Sequence, residues 1–233
     1  MTSDRTTADP GGLKTPRTTL RRKPDRGSHD WDTIAAILDE ALYCHMGFAV
    51  DGQPYVIPTA FGRDARTLYI HGSSASRMLR TLSGGIPICF TATLIDGLIY
   101  ARSSFHSSVH YRSVVALGSA AALESEEEKL RGLEVISEHT TPGHWYAARI
   151  PSRKELKAVS VLRLDVGEAS AKVRMGGAVD EPEDMDLPVW AGVLPLALVA
   201  GTPETDPLLR GDHPVPAYVR DHKRPGAQPP MSS

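Results

Sequence analysis

The stretch Phe48-Ala49-Val50-Asp51-Gly52-Gln53-Pro54-Tyr55-Val56-Ile57-Pro58-Thr59-Ala60-Phe61 constrains the fold more than any other. Asp-Gly between two apolar, β-favouring runs marks a two-residue hairpin, because such a turn needs residues that accept positive φ. Antiparallel pairing is thereby fixed early, and the same punctuation recurs. A turn from Arg63 to Arg66 leads into Leu68–His71, and Asp96-Gly97 separates Ile86–Ile95 from Gly97–Arg102 as a further hairpin. Val109–Leu123 reads as a long strand in which Gly118 permits a bend, and Ala158–Val166 as the last clear strand. Helical spacing is confined to a segment over about 31–44, capped by Ser28 or Asp30 and closed by Gly47, and to shorter segments at 75–83, 124–139 and 152–157. Strands in hairpin order with so few helices predict a mostly β fold: an antiparallel, Greek-key-like split barrel with peripheral helices.

The ends differ from the middle. Residues 1–27 carry seven Lys/Arg and almost no large apolar side chains, and residues 203–233 carry seven prolines. Both are expected to be flexible, which leaves a folded unit over 28–200 between an arm at 1–27 and a tail at 201–233. A net charge of -2 without a basic face argues against nucleic acid. No apolar run is long enough for a membrane span, and the N-terminus lacks a signal peptide's apolar core. Cys44 and Cys89 show no metal or disulfide spacing, as expected for buried thiols in the cytoplasm.

Two segments carry chemistry. His71-Gly72-Ser73-Ser74-Ala75-Ser76-Arg77 ends a strand and opens a helix. Such an elbow offers backbone N–H groups, hydroxyls and a guanidinium to an anion such as phosphate. His106-Ser107-Ser108-Val109-His110-Tyr111-Arg112-Ser113 places polar residues at the entry of an apolar strand, with Tyr111 and Ser113 on one face. Pro58 cannot donate to a sheet, so its strand lies at an edge, or where the sheet opens and leaves backbone groups to a ligand. Lys172 and Arg174 share one face of an extended segment, reaching toward a ligand or a second chain.

Taken in order, PYVIPTAF, LYIHGSSASRML, HYRSVVALG, AKVRMGG and VWAGVLPL resemble the flavin-binding split-barrel proteins related to pyridoxamine 5'-phosphate oxidase, in particular the nitroimidazole-resistance-type branch. The resemblance covers about residues 21–196. It implies FMN in a cleft of a homodimer, with the ring along Val56, Ile57, Pro58 and Thr59. His71, Gly72, Ser73, Ser76 and Arg77 would surround the phosphate and ribityl chain. Ser113, with Tyr111 and Arg112, would contribute from the long strand, and Trp190 from the partner chain. Met78 stands where the oxidases have a phosphate-binding lysine, and His110 where the nitroimidazole-type branch has asparagine. The residues that bind pyridoxamine phosphate have no counterpart, so vitamin B6 oxidation does not transfer. The expected function is FMN-dependent oxidoreduction of a small organic molecule. The alternatives are a flavin carrier without turnover and a barrel holding F420 or haem, with His71, His106 and His110 as candidate axial ligands.

Overall fold

The structure, a computed structural model, describes residues 12–223. The chain begins with a two-residue strand, β1 (Gly27–Ser28), and a helix, α1 (Trp31–Glu40). The Asp30 side chain caps that helix by accepting from the Thr33 N–H. The helix ends before Leu42, not at Gly47 as predicted, because Cys44 and Met46 alternate into the core as strand residues. β2 (Tyr43–Val50) turns through Asp51 and Gly52, at φ 51° and 81°, into β3 (Gln53–Asp64), as the hairpin signal required. β4 (Thr67–Ser73), α2 (Arg77–Leu82) and β5 (Pro87–Tyr100) follow. The predicted hairpin at Asp96-Gly97 is absent: β5 runs straight through, with a register shift between Ile95 and Gly97. Gly97 is required there because β10 (Gly192–Pro195) crosses it closely; a Cβ would lie 3.0 Å from the Leu194 carbonyl oxygen.

β6 (Ser108–Ser119), β7 (Ala121–Ala122) and α3 (Glu126–Thr140) come next, α3 opening with a Ser125–Glu128 capping box. α4 (His144–Ala147), α5 (Arg153–Ala158) and β8 (Val159–Asp165) complete the expected elements. β9 (Glu168–Arg174) was not foreseen, and α6 (Ala217–Arg220) lies near the end of the described residues. Every pairing is antiparallel, in the order β1-β9-β6-β5-β2-β3-β4-β8-β7 with β10 on β5. Strand content, order and peripheral helices agree with the predicted split barrel.

The sheet curls around one core. Met46, Phe90, Ala116 and Ala169 form a cross-strand row that points inward, each at most 1% exposed. Phe61 meets Phe90 edge-on with ring centroids 5.1 Å apart. Ile34 and Leu38 of α1, with Leu79 and Leu82 of α2, join the same core, each such side chain contributing about 2 kcal/mol. α3 lies against the outer side of β3 so closely that a Cβ on Gly62 would come within 2.7 Å of its backbone.

The expectation that residues 1–27 form a flexible arm fails from Leu13 onward. Leu13 is 4% exposed within the core, its carbonyl accepts the Ala169 N–H, and Arg17 and Thr15 hold Glu168. One docked leucine and a carboxylate clamp secure a segment too polar to read as folded. Residues 1–11 and 224–233 lie outside the described residues. Within the predicted tail, α6 packs back on α4: Tyr218 lies against Gly143 and its hydroxyl meets His144 at 3.2 Å.

Candidate functional site

The β3 strand is paired unequally on its two sides. Toward β2 its register is unbroken from Gln53 to Ala60. Toward β4 it is paired only from Phe61 to Asp64. β4 itself continues past that point with β8 as its partner, through His71, Gly72 and Ser73. The sheet therefore opens between the Val56–Ala60 edge and the end of β4. Pro58 explains the orientation. Since His45–Pro58 pairing is intact and proline has no N–H to give, its nitrogen faces the opening. By alternation Val56 and Ala60 turn their peptide groups the same way. Of the two sequence-based alternatives for Pro58, the structure shows a sheet that parts, with bare backbone along the gap.

The elbow closes one end of this opening. Gly72 lies beneath α2, where a Cβ would meet Leu79 at 3.0 Å. Its amides, however, are not free as the sequence suggested. Ser74 N–H bonds the Ala158 carbonyl, Ser76 N–H the Ser73 carbonyl and Ala75 N–H the Ser73 hydroxyl. Ser76 caps α2 through Leu79 N–H at 3.5 Å. What remains for an anion is side chains: the exposed Ser73 and Ser74 hydroxyls and Arg77. Arg77 lies 5.0 Å over the Tyr55 ring, which stacks on Phe48. Among the described residues it makes no ion pair. His71 carries a buried Nδ1 without a hydrogen-bond partner, and burial lowers its pKa below the ordinary histidine value. A buried polar atom left unmatched beside a gap in the sheet is an invitation to a ligand.

The other predicted residues fall on different surfaces. The rows Pro58–His45–Thr91–Val115–Ser170 and Val56–Gly47–Cys89–Leu117–Glu168 cross the outward face of the barrel. Ser113 and Tyr111 belong to that face, opposite Lys172 and Arg174, three strands and roughly 14 Å from β3. Ile57 and Thr59 turn their side chains inward and their peptide groups toward β2, so neither presents a polar group to the opening. Arg112 is removed from the site. Its guanidinium grips Asp96 (2.8 and 2.6 Å) and Glu40 (2.5 and 3.0 Å), buckling α1 to β5 and β6. Those hydrogen bonds raise its pKa. His110 likewise bonds the Gly176 carbonyl and His106 pairs with Glu181. Trp190 packs on Tyr100 at the far end of β5 from α2, roughly 40 Å along an extended strand. Arg77 and Trp190 of one chain therefore do not share a site.

His45 was overlooked by sequence reasoning. It is exposed on the outward face between Pro58 and Thr91. Of the imidazoles in 28–200, His45 and His71 alone have neither a hydrogen bond nor an ion pair among the described residues. Only the alternation of Cys44 and Met46 inward would have revealed it. Cys44, its neighbour, is inert, with burial pushing its thiol up to about 12. A cavity of about 280 Å³ lies by α3 between Arg63, Arg131, Glu134 and Tyr146. Its charges already pair with one another or with Asp39 and Asp64, so it competes poorly with the opening as a ligand site. Among the described residues no cluster could hold a metal ion, and no helix is long and apolar enough to cross a membrane.

The family model described as pyridoxamine 5'-phosphate oxidase matches residues 30–173. No match is found among curated proteins. Among solved structures, the flavocytochrome Anf3 from Azotobacter vinelandii is 36% identical, with 92% of this chain and 100% of that one covered and a TM-score of 0.85. A FAD and haem binding protein from Mycobacterium smegmatis is 34% identical, covering 85% and 98%, with a TM-score of 0.82. A 5-nitroimidazole antibiotic resistance protein from Bacteroides thetaiotaomicron is 28% identical, covering 63% and 86%, with a TM-score of 0.54.

Proposed function

This chain belongs to the pyridoxamine 5'-phosphate oxidase family, and on that premise we propose that it binds a flavin nucleotide where its sheet parts and works in electron transfer to or from a small molecule. The observation that carries the proposal is the stretch of β3 from Val56 to Ala60 that has no partner toward β4, together with the buried, unmatched His71 Nδ1 on β4 just past the last β3–β4 pair. Peptide groups of Val56, Pro58 and Ala60 would meet the polar edge of the ring. Arg77, with the Ser73 and Ser74 hydroxyls, would hold the phosphate, FMN needing one such point. With Met78 in the lysine position and the elbow amides spent, Arg77 supplies most of the binding charge. The flavin, when bound, supplies the redox chemistry; this chain's residues position it and exclude water. The neutral His71 imidazole is placed to exchange a hydrogen bond with it.

A second copy completes the site. Val56 (65% exposed) and Tyr43 (59%) leave the outward face apolar, and Trp190 (67%) projects from the opposite end of the chain. Isologous pairing of two such faces covers them and brings the partner's Trp190 toward the opening. A native mass spectrum of the purified protein tests both statements at once. A dimer carrying flavin mass supports them; a monomer that takes up no added FMN refutes them.

A second reading adds haem. Two relatives that match over at least 85% of both chains are a flavocytochrome and a FAD and haem binding protein. In this chain His45 and His71 are the imidazoles of 28–200 with no partner of their own among the described residues, and they join the expected His106 and His110 as candidate iron ligands. Haem reconstitution should give a Soret band that His45→Ala, His71→Ala, His106→Ala or His110→Ala weakens. A band indifferent to every replacement would leave this reading without its ligands, and no band would end it.

A further inference from the structure

Three cations on the outward face stand apart from the opening. Lys172 and Arg174 project from β9 opposite Ser113 and Tyr111, and Gly27 of β1 pairs with Lys172 so that Arg26 adjoins the same edge. All three are half-buried. Among the described residues none makes an ion pair. Glu168, further along β9, is engaged by Arg17 and Asp180 by Arg102, while Asp25, next to Arg26, forms no ion pair with any of the three among the described residues. Burial, and next the charge of Arg26, lowers the pKa of Arg174, with no carboxylate opposing either. Half-buried cations gathered on one edge without a carboxylate partner are suited to an anion, which would offset their partial desolvation. Tyr111 adds a hydroxyl beside them, whereas the Ser113 hydroxyl donates to the Lys172 carbonyl at 3.4 Å.

We propose that Arg26, Lys172 and Arg174 form a second anion site, which takes a phosphate group of a dinucleotide. β9 is four strands from β3, roughly 19 Å across the face, so this site does not serve the group held by Arg77. That spacing suits the phosphates of a nicotinamide dinucleotide laid toward the ring; the second phosphate of a dinucleotide flavin, joined to the first through one oxygen, stays beside Arg77 and does not reach it. The inference deepens the flavin reading and its dinucleotide assignment rests on it, whereas anion binding itself does not.

The test uses the full chain and the Lys172→Met/Arg174→Met variant, which keeps the apolar stems. FMN and FAD are titrated by flavin fluorescence, NADPH on the FMN-loaded protein, and inorganic pyrophosphate on flavin-free protein through its melting temperature. The variant should lose at least about tenfold in affinity for NADPH, and hold FMN and FAD to within about twofold. Loss for NADPH alone assigns the electron donor; equal loss for FMN and FAD would put the flavin's own phosphate at these cations and overturn their separation from Arg77. Arg26→Gln, outside the sheet, should reproduce the effect more weakly. Unchanged binding of pyrophosphate and NADPH would overturn the proposal. So would a variant that becomes monomeric with its ligands unaffected, since the cations would then face acids of a second copy. A wild-type protein that binds no flavin but is stabilised by pyrophosphate, and loses that in the variant, would refute the flavin reading and keep the anion site.

Discussion

Arg112 on β6 and Arg77 at the start of α2 are set in surroundings that could hardly differ more. Arg112 is held by two carboxylates in four hydrogen bonds. Arg77 rests on an aromatic ring, exposed, with no carboxylate in reach among the described residues. The sheet shows the same division: closed where α3 covers Gly62, open where β3 and β4 part beside Pro58. Where the chain satisfies its own groups it is building; where it leaves them unmatched it is holding places for something else.

The sharpest way to break that comparison is to exchange the arginines' roles. Arg112→Met leaves Glu40 and Asp96 facing each other, partly buried, and should cost about 3 kcal/mol of folding stability in urea denaturation. A cost near zero would show that the buckle is not structural. Next in size, Gly62→Ala drives a methyl into the α3 backbone and should destabilise by about 2 kcal/mol. Gly47→Ala, on the open face with its nearest neighbour 3.4 Å away, should leave thermal unfolding almost unchanged. Equal effects of the two alanines would erase the distinction between the faces. Arg77→Ala should reverse the Arg112 pattern, weakening FMN binding about tenfold with no change in melting temperature.

The smallest effect concerns pH. Burial lowers the His71 pKa in the folded state, so the unfolded chain binds the proton more readily. The stability associated with neutral His71 is present above the ordinary value near 6.5 and declines as pH falls through that value toward the lower folded one. His71→Gln should remove this component from the acid side of the stability profile. An unchanged profile would place the imidazole in water.

How much of this was legible depended on the range of the cause. Asp51-Gly52 announced its hairpin because a turn is a local matter of two residues. Asp96-Gly97 looked the same and was not a turn: Asp96 is a partner for Arg112 and Gly97 makes room for β10, both distant in sequence. β9 was hidden because its inward residues, Ala169 and Ala171, are small, and a strand buried through alanines shows no apolar alternation. Pro58 did signal the parted sheet, but choosing between edge and opening needed β8, whose residues lie about a hundred positions later. The elbow was located correctly and its amides misjudged: Ala158, outside the motif, accepts the Ser74 N–H, and Ser73, within it, accepts those of Ala75 and Ser76.

The account stands or falls on the bare edge of β3. Amide hydrogen exchange, resolved to single residues and measured with and without saturating FMN, addresses it directly. Val56 and Ala60 should exchange rapidly in the free protein and become strongly protected with flavin, while Gly62 and Asp64 stay protected throughout. Val56 and Ala60 amides that are already slow without ligand, or that FMN leaves unchanged while protecting another surface, would contradict it.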